Sequence, residues 1–159
     1  MQYAGLIKND FSAAPGVSVS FYTQGCPHRC PGCHNPETWD FNGGQEFTAD
    51  ILNEIIDALQ ANSIKRSLCI MGGEPLCLEN EFLTCMIIKH VKERLPDVPV
   101  YIWTGYTYEQ ILSSSNPRLK AILELTDYII DGPYIEAERD ITLPMRGSRN
   151  QRVIKIDKK

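Results

Sequence analysis

A chain of 159 residues with 43% hydrophobic and 23% charged side chains fits one globular domain over residues 1–159 and is too short for two ordinary domains. It is also too short for a complete eight-unit βα barrel, which takes about 200 residues or more. The net charge of −4 argues against nonspecific nucleic-acid binding, which depends on neutralising phosphates, so no nucleic-acid partner is expected.

The predicted elements begin with a strand over residues 17–22, where apolar side chains alternate with polar ones. Thr48 is placed to cap a helix whose apolar residues, between positions 51 and 59, recur on one face. Residues 67–71 form a short apolar run, which predicts a buried strand that ends at two glycines.

The second half of the chain continues this alternation. A helix is predicted after the two glycines, and Pro96 ends it. Its predicted inward residues are Phe82, Leu83, Met86, Ile87 and Val91. We then expect a strand over 98–103, a helix that begins at Pro117, a strand over 127–131 and an edge strand over 152–156.

Strands that alternate with helices indicate an α/β fold with a mostly parallel sheet and right-handed crossovers. Ligands in such sheets bind beyond the carboxyl ends of the strands. Four loops follow the predicted strands at this edge, over residues 26–33, 72–75, 104–106 and 131–133. We therefore expect these four loops to converge on one site.

The first residues, MQYAGLIKNDF, lack the positively charged segment and apolar stretch of a secretory signal. The chain also has no uncharged apolar run of about 18 residues, which a membrane-spanning helix needs. We therefore expect a cytoplasmic protein with no membrane partner. In that compartment, six cysteines are more typical of metal ligands, redox groups or small buried side chains than of disulfides.

Three cysteines form the most informative motif. Cys26, Cys30 and Cys33 have the spacing CxxxCxxC within residues 25–36, which we call the cluster loop. Three thiolates so close together can hold a compact metal centre. A four-iron cluster normally takes one cysteine per iron, so three cysteines would leave one iron open to another ligand.

Zinc is the main alternative, held by the three thiolates together with His28 or His34. Inert buried cysteines are a third possibility. The motif favours iron and sulfur, because structural zinc ribbons usually pair two CxxC knuckles and this sequence has no second knuckle. Cys69 in a strand and Cys85 on a helix face are predicted to be small apolar side chains, whereas Cys77, just after GGEP, is ambiguous. A second cluster at these three cysteines is not expected, since their spacing does not bring three thiolates together.

The CxxxCxxC motif after the first predicted strand, together with GGEP after the second, resembles the radical S-adenosylmethionine superfamily. This resemblance implies an incomplete (β/α) barrel and a [4Fe–4S] cluster held by the three cysteines. It implies that the amino and carboxylate groups of S-adenosylmethionine bind the fourth iron. Gly72, Gly73 and Glu74 match the segment that meets the methionine amino group in that superfamily.

One position departs from the superfamily. The residue before the third cysteine is often aromatic there, but it is Gly32 in this chain. The resemblance therefore implies that adenine is contacted by the backbone around Gly32, Cys33 and His34.

Further segments are similar to the activating proteins of the anaerobic ribonucleoside-triphosphate reductase, a family within that superfamily. These segments are PGVSVSFYTQGCPHRCPGCHNPETWDF, GGEPL, WTGYTYEQI, DYIIDGPYI and RGSRNQRVI. The resemblance implies an oxidoreductase that cleaves S-adenosylmethionine to a 5′-deoxyadenosyl radical and installs a glycyl radical on the large subunit of the reductase. It also implies a flavodoxin-like electron donor.

Other functions stay open on the sequence. The chain could activate another glycyl-radical enzyme, such as pyruvate formate-lyase, or act on a small molecule with the same chemistry. It could also be a noncatalytic zinc or iron–sulfur module. The basic end, residues 146–159, carries six lysine and arginine side chains against one aspartate, which fits either a solvated tail or a docking surface for an acidic partner.

Overall fold

A computed structural model describes residues 1–158, within which seven strands form one sheet. The strands are β1 (Gln2–Asp10), β2 (Val17–Thr23), β3 (Gln45–Glu46), β4 (Arg66–Gly72), β5 (Val100–Trp103), β6 (Tyr128–Asp131) and β7 (Arg152–Lys155). The α-helices are α1 (Ala49–Leu59), α2 (Glu81–Arg94), α3 (Tyr108–Ser113) and α4 (Pro117–Leu125). None of these helices is long and apolar enough to cross a membrane.

The sheet is mixed, so the prediction of a mostly parallel sheet is wrong. Its strand order is β3-β1-β2-β4-β5-β6-β7, and it does not close into a barrel. Three pairings, from β2 through β4 and β5 to β6, are parallel. Three others, β1 with β2, β1 with β3 and β6 with β7, are antiparallel. These outer strands join their neighbours without a crossover helix, which a parallel pair usually requires.

The predicted α/β alternation is confirmed in the centre of the chain, where β2, β4, β5 and β6 are separated by helices. The sequence does not predict β1, β3 or α3. Strand β1 has no two-residue periodicity, since only Tyr3 and Asp10 among its nine residues are buried. Helix α3 did carry a local signal, because Thr107 and Gln110 form a capping box at its start.

One residue that was predicted to face the core from a helix faces solvent instead. Phe82 on α2 was expected to face the core, but it is 51% exposed. Its ring lies beneath the guanidinium of Arg118 on α4, with 5.3 Å between the guanidinium carbon and the ring centroid. The cation covers part of the ring from outside, which makes the exposed position tolerable.

The two faces of the sheet are covered differently. The helices pack on one face, against a core that includes Phe21, Leu68, Ile70, Ile102 and Ile129. The opposite face carries a smaller cluster formed by Ala14, Cys69, Tyr101 and Ile130, with partly buried residues from the loops around it. Because none of the four α-helices given above covers this second face, it leaves room for a cavity.

The helix-covered core sets the stability of the chain. Ile102 lies in the middle of β5, is fully buried, and pairs with strand neighbours on both sides. We expect Ile102→Ala to lower the free energy of unfolding by about 2–5 kcal/mol, measured by urea denaturation of the metal-free chain. The matched control Ile141→Ala, at a side chain that is 82% exposed, should change it by less than about 0.5 kcal/mol. Equal effects of the two substitutions would contradict this assignment of the core.

Candidate functional site

A cavity of about 480 Å³ lies over the second face of the sheet and at the carboxyl ends of its parallel strands. All four loops that the sequence places at this edge contribute to its lining. The lining includes Cys26, His28, Cys30, Cys33, His34, Gly72, Gly73, Glu74, Thr104, Gly105 and Gly132. The size suits a small-molecule ligand, since such pockets commonly measure about 300–1,000 Å³. Folding therefore brings the CxxxCxxC and GGEP motifs to one cavity.

The three cysteines of the cluster loop are free and partly exposed at the cavity. Backbone hydrogen bonds hold the start of the loop and a turn within it. Gly25 N donates to Thr38 O at 2.7 Å, and Cys33 N donates to Cys30 O at 3.1 Å. In the metal-free chain, burial raises the pKa of the Cys26 thiol. Within residues 1–158, no three His, Cys, Asp or Glu side chains surround a position for a single metal ion.

The GGEP segment packs directly on the start of the cluster loop. Gly73 N donates to Thr23 O at 2.9 Å, and Glu74 N donates to Gly25 O at 2.9 Å. The Asn80 side chain donates to the same carbonyl of Gly25 at 3.1 Å and to Glu74 O at 3.0 Å. A Cβ on Gly73 would lie 2.3 Å from Gly25 O, so only glycine permits this approach. The two motifs form one continuous substructure.

The Glu74 carboxylate is completely buried and accepts four hydrogen bonds. Oε2 accepts from His28 Nε2 at 2.7 Å and from Gly105 N at 2.7 Å. Oε1 accepts from Thr104 Oγ1 at 2.7 Å and from Leu76 N at 2.9 Å. Sequence reasoning placed Glu74 at the site but did not identify these partners, which come from three different loops.

The predicted adenine-contacting residues lie at the far end of the cluster loop. Cys33 and His34 line the cavity, and the His34 ring lies beside that of Tyr134, with 5.6 Å between centroids. Gly32 is next to the lining, with a φ of +79°. A Cβ there would lie 2.0 Å from a carboxylate oxygen of Glu136, so a side chain at position 32 would displace that neighbour.

The other three cysteines lie away from the cavity lining and are buried. Burial raises the pKa of Cys69 to about 11 and that of Cys77 to about 12. The Cys77 thiol donates to Glu74 O at 3.2 Å, and Cys85 lies in the helix-covered core. Thiols in such surroundings behave as small apolar side chains.

Several cavity residues had no assigned role in the sequence. They are Asp10, Tyr22, Met71, Trp103, Ile130, Met145 and Arg146. Most of them stand on the cavity-facing side of strands. Their alternate positions along the predicted strands were the only feature of the sequence that could have placed them at the cavity. Asp10 accepts from Ser20 Oγ at 2.7 Å and from Ser12 N at 2.9 Å. Burial acts to raise the pKa of Asp10, but these hydrogen bonds outweigh it and the pKa is lowered.

The basic end is an ordered part of the fold, which corrects its interpretation as a solvated tail. Arg152 on β7 donates to the buried Asp131 and to Glu109 on α3. Lys158 Nζ donates to Glu124 O at 2.8 Å and also to Thr126 O, beyond the end of α4. Residue 159, which belongs to the same basic segment, lies outside the described residues.

Comparison with known proteins agrees with this geometry. Residues 13–154 match the model of the family described as a 4Fe-4S single cluster domain. A protein of Vibrio cholerae named anaerobic ribonucleoside-triphosphate reductase-activating protein is 33% identical over 152 residues, covering 95% of this chain and 96% of its own. Proteins with the same name from Escherichia coli K12 (31% identical, 95% and 96% covered) and Enterobacteria phage T4 (35%, 96% and 93%) are similar over nearly the same length. The chain therefore belongs to the family of anaerobic ribonucleoside-triphosphate reductase-activating proteins, and it matches the 4Fe-4S single cluster domain family over most of its length.

Proposed function

We propose that this chain installs a glycyl radical on the large subunit of an anaerobic ribonucleoside-triphosphate reductase, using a [4Fe–4S] cluster and S-adenosylmethionine. The observation that carries the proposal is the meeting of Cys26, Cys30 and Cys33 with Gly72 and Gly73 at one cavity. The names of the relatives point to the reductase as the partner.

The residues at the cavity fit the proposed cluster. Three free thiols on one loop are the soft ligands that iron–sulfur clusters take, and a set of three leaves one iron for another ligand. Zinc would need His28 or His34 as a fourth ligand, and the hydrogen bond from His28 Nε2 to Glu74 leaves only Nδ1 of His28 for a metal. Cys26, Cys30 and Cys33 would hold the cluster.

The cavity also fits the proposed cofactor. Gly72 and Gly73 expose main chain rather than side chains to the cavity, so the methionyl end could approach the backbone closely. Gly32, Cys33 and His34 would contact the adenine at the other end of the loop. When bound, the cluster and the cofactor together would supply the one-electron cleavage that yields methionine and a 5′-deoxyadenosyl radical, which takes a hydrogen atom from a glycine Cα.

The chain's own residues would position the cofactor and keep water out. The cavity-facing side chains Met71, Trp103, Ile130 and Met145 form an apolar surface next to the polar loops. The Trp103 indole donates to Met145 O at 2.6 Å, which fixes the loop between β6 and β7 against β5. Such a surface excludes water from a reactive intermediate.

The proposal has three further parts. Residues 1–159 would act as one radical S-adenosylmethionine domain. The electron would come from a flavodoxin-like donor, because cleavage of the sulfonium needs a low-potential reductant and iron–sulfur clusters reach about −700 mV. The activity would take place in the cytoplasm, where thiols stay reduced.

The test is activation of the reductase by the iron- and sulfide-reconstituted protein without air. With S-adenosylmethionine and a strong reductant, we expect 5′-deoxyadenosine to form and a glycyl doublet to appear on the reductase by electron paramagnetic resonance. Omitting S-adenosylmethionine, or replacing the target glycine of the reductase by alanine, should remove the doublet. A doublet found only on another glycyl-radical enzyme would redirect the proposal, and zinc alone or an uncleaved cofactor would overturn it.

A further inference from the structure

The Glu74 carboxylate has no free acceptor position. A carboxylate offers about four lone-pair sites, and Glu74 uses its two oxygens for four donors at 2.7–2.9 Å. The side chain is also completely shielded from solvent. A cofactor ammonium could bind this carboxylate only by displacing one of these donors, which would leave a buried polar group unsatisfied.

The donors connect separate parts of the chain. His28 belongs to the cluster loop, Leu76 follows the GGEP segment, and Thr104 and Gly105 follow β5. A buried carboxylate that is bonded from three directions can shift only if several hydrogen bonds break together. Glu74 therefore ties the cluster loop to the ends of two central strands.

His28 transmits this attachment to the metal-binding cysteines. It lies midway between Cys26 and Cys30 in the chain, so fixing its ring restrains the backbone on both sides. The ring is also confined sterically. A Cβ on Gly105 would lie 2.5 Å from it, and the Tyr106 ring stands edge-on to it at 4.6 Å between centroids.

We propose that Glu74 and His28 form a positioning pair that holds the cluster loop, and that the Glu74 side chain does not bind the cofactor's amino group. The inference rests on the proposed function and revises one expectation within it. The methionyl end would then meet the main chain of Gly72 and Gly73, while Glu74 acts through His28 on the cysteines.

The experiment compares Glu74→Gln, Glu74→Ala, His28→Ala and the double variant His28→Ala/Glu74→Ala, each reconstituted with iron. Binding is measured for S-adenosylmethionine and for its analogue with hydrogen in place of the amino group. We expect Glu74→Gln and His28→Ala each to raise the dissociation constants of both ligands by a similar factor of about 10, which corresponds to one lost hydrogen bond to a charged group. The double variant should be little worse than Glu74→Ala, because both changes break the same contact.

Two further readouts do not depend on activity or on cofactor binding. The midpoint potential and paramagnetic signal of the reduced cluster should change in His28→Ala and be partly restored in His28→Gln, whose amide can still donate to Glu74. In the metal-free chain, hydrogen exchange should become faster over residues 26–33 in Glu74→Ala and His28→Ala.

Glu81→Gln is the matched control. Glu81 is also a buried carboxylate, but it accepts from Asn116 at 2.7 Å and from Arg118 at 2.9 Å, between α2 and α4. The Glu81→Gln substitution should leave the cluster potential and the hydrogen exchange of residues 26–33 unchanged. The proposal is contradicted if Glu74→Gln weakens binding only of the ligand that carries the amino group. It is also contradicted if His28→Ala leaves the cluster potential and the hydrogen exchange unchanged. If the wild-type protein binds no S-adenosylmethionine, the proposed function fails, while the exchange measurement still tests the pair.

Discussion

Replacing Cys26, Cys30 and Cys33 together by alanine should abolish iron binding, whereas the wild-type protein reconstituted without air should take up about four irons per chain. The three thiols stand free at the cavity, on a loop whose backbone is held by hydrogen bonds of its own. Removing them takes away the ligands and leaves the loop supported. Reductase activation should fall to background in the triple variant and in each single variant, because an incomplete ligand set cannot hold the cluster in its reactive form. Iron, sulfide and zinc analysis, together with the visible spectrum, measures the result.

Cys85→Ala is the matched control for this experiment. Cys85 is 6% exposed and lies in the helix-covered core. Cys85→Ala should therefore lower the free energy of unfolding by about 1 kcal/mol and leave the iron content unchanged. Full cluster occupancy in the triple variant would mean that other side chains bind the metal. Zinc as the only metal in wild-type protein prepared without air would contradict the iron–sulfur assignment itself.

Gly73→Ala should have the second largest effect, because position 73 is where the two motifs touch. The added methyl group would lie 2.3 Å from Gly25 O and 2.9 Å from Gly25 C, and both are backbone atoms that cannot rotate away. We expect a loss of about 1–3 kcal/mol or more in the free energy of unfolding, as for other overpacked sites. A shift of about 1 Å in a binding segment can lower the rate about 100-fold, so reductase activation should fall by at least that factor.

The matched substitution is Gly5→Ala on β1. A Cβ at Gly5 meets no heavy atom within 4 Å, so alanine there should leave iron content and activity unchanged and stability within about 1 kcal/mol of wild type. Urea unfolding, iron content and reductase activation of both variants give the comparison. If Gly73→Ala activated the reductase as well as the wild-type protein does, the GGEP segment would not need to approach the cluster loop so closely.

The candidate metal ligands could be predicted from the sequence because they are neighbours in the chain. Spacing alone brings Cys26, Cys30 and Cys33 within reach of one centre, whatever the rest of the fold does. The parallel core was predictable for a similar reason. Buried runs such as 67–71 and the helix that begins at Pro117 carry their periodicity locally, and both correspond to elements of the structure.

The outer strands were not predictable in this way. β1 pairs antiparallel with β2, yet its side chains alternate poorly because part of it is exposed. The length of the β6–β7 connection did not predict the direction of β7, which returns antiparallel to β6 without an intervening α-helix. Asp131, at the end of β6, was expected near the site with its loop, but its carboxylate binds Arg152 and Tyr108 N instead.

The sequence alone was enough to predict three candidate cysteine ligands, to find the glycine pair that lets a backbone approach, and to recognise the family, because each depends on residues close together in the chain or on strings of residues that can be compared directly. The tertiary structure alone decided the mixed order of the sheet and the partners of Glu74. Those partners lie 2, 30, 31 and 46 positions away along the chain. Only the packing of strand ends against one another could bring their hydrogen-bond donors to one buried carboxylate.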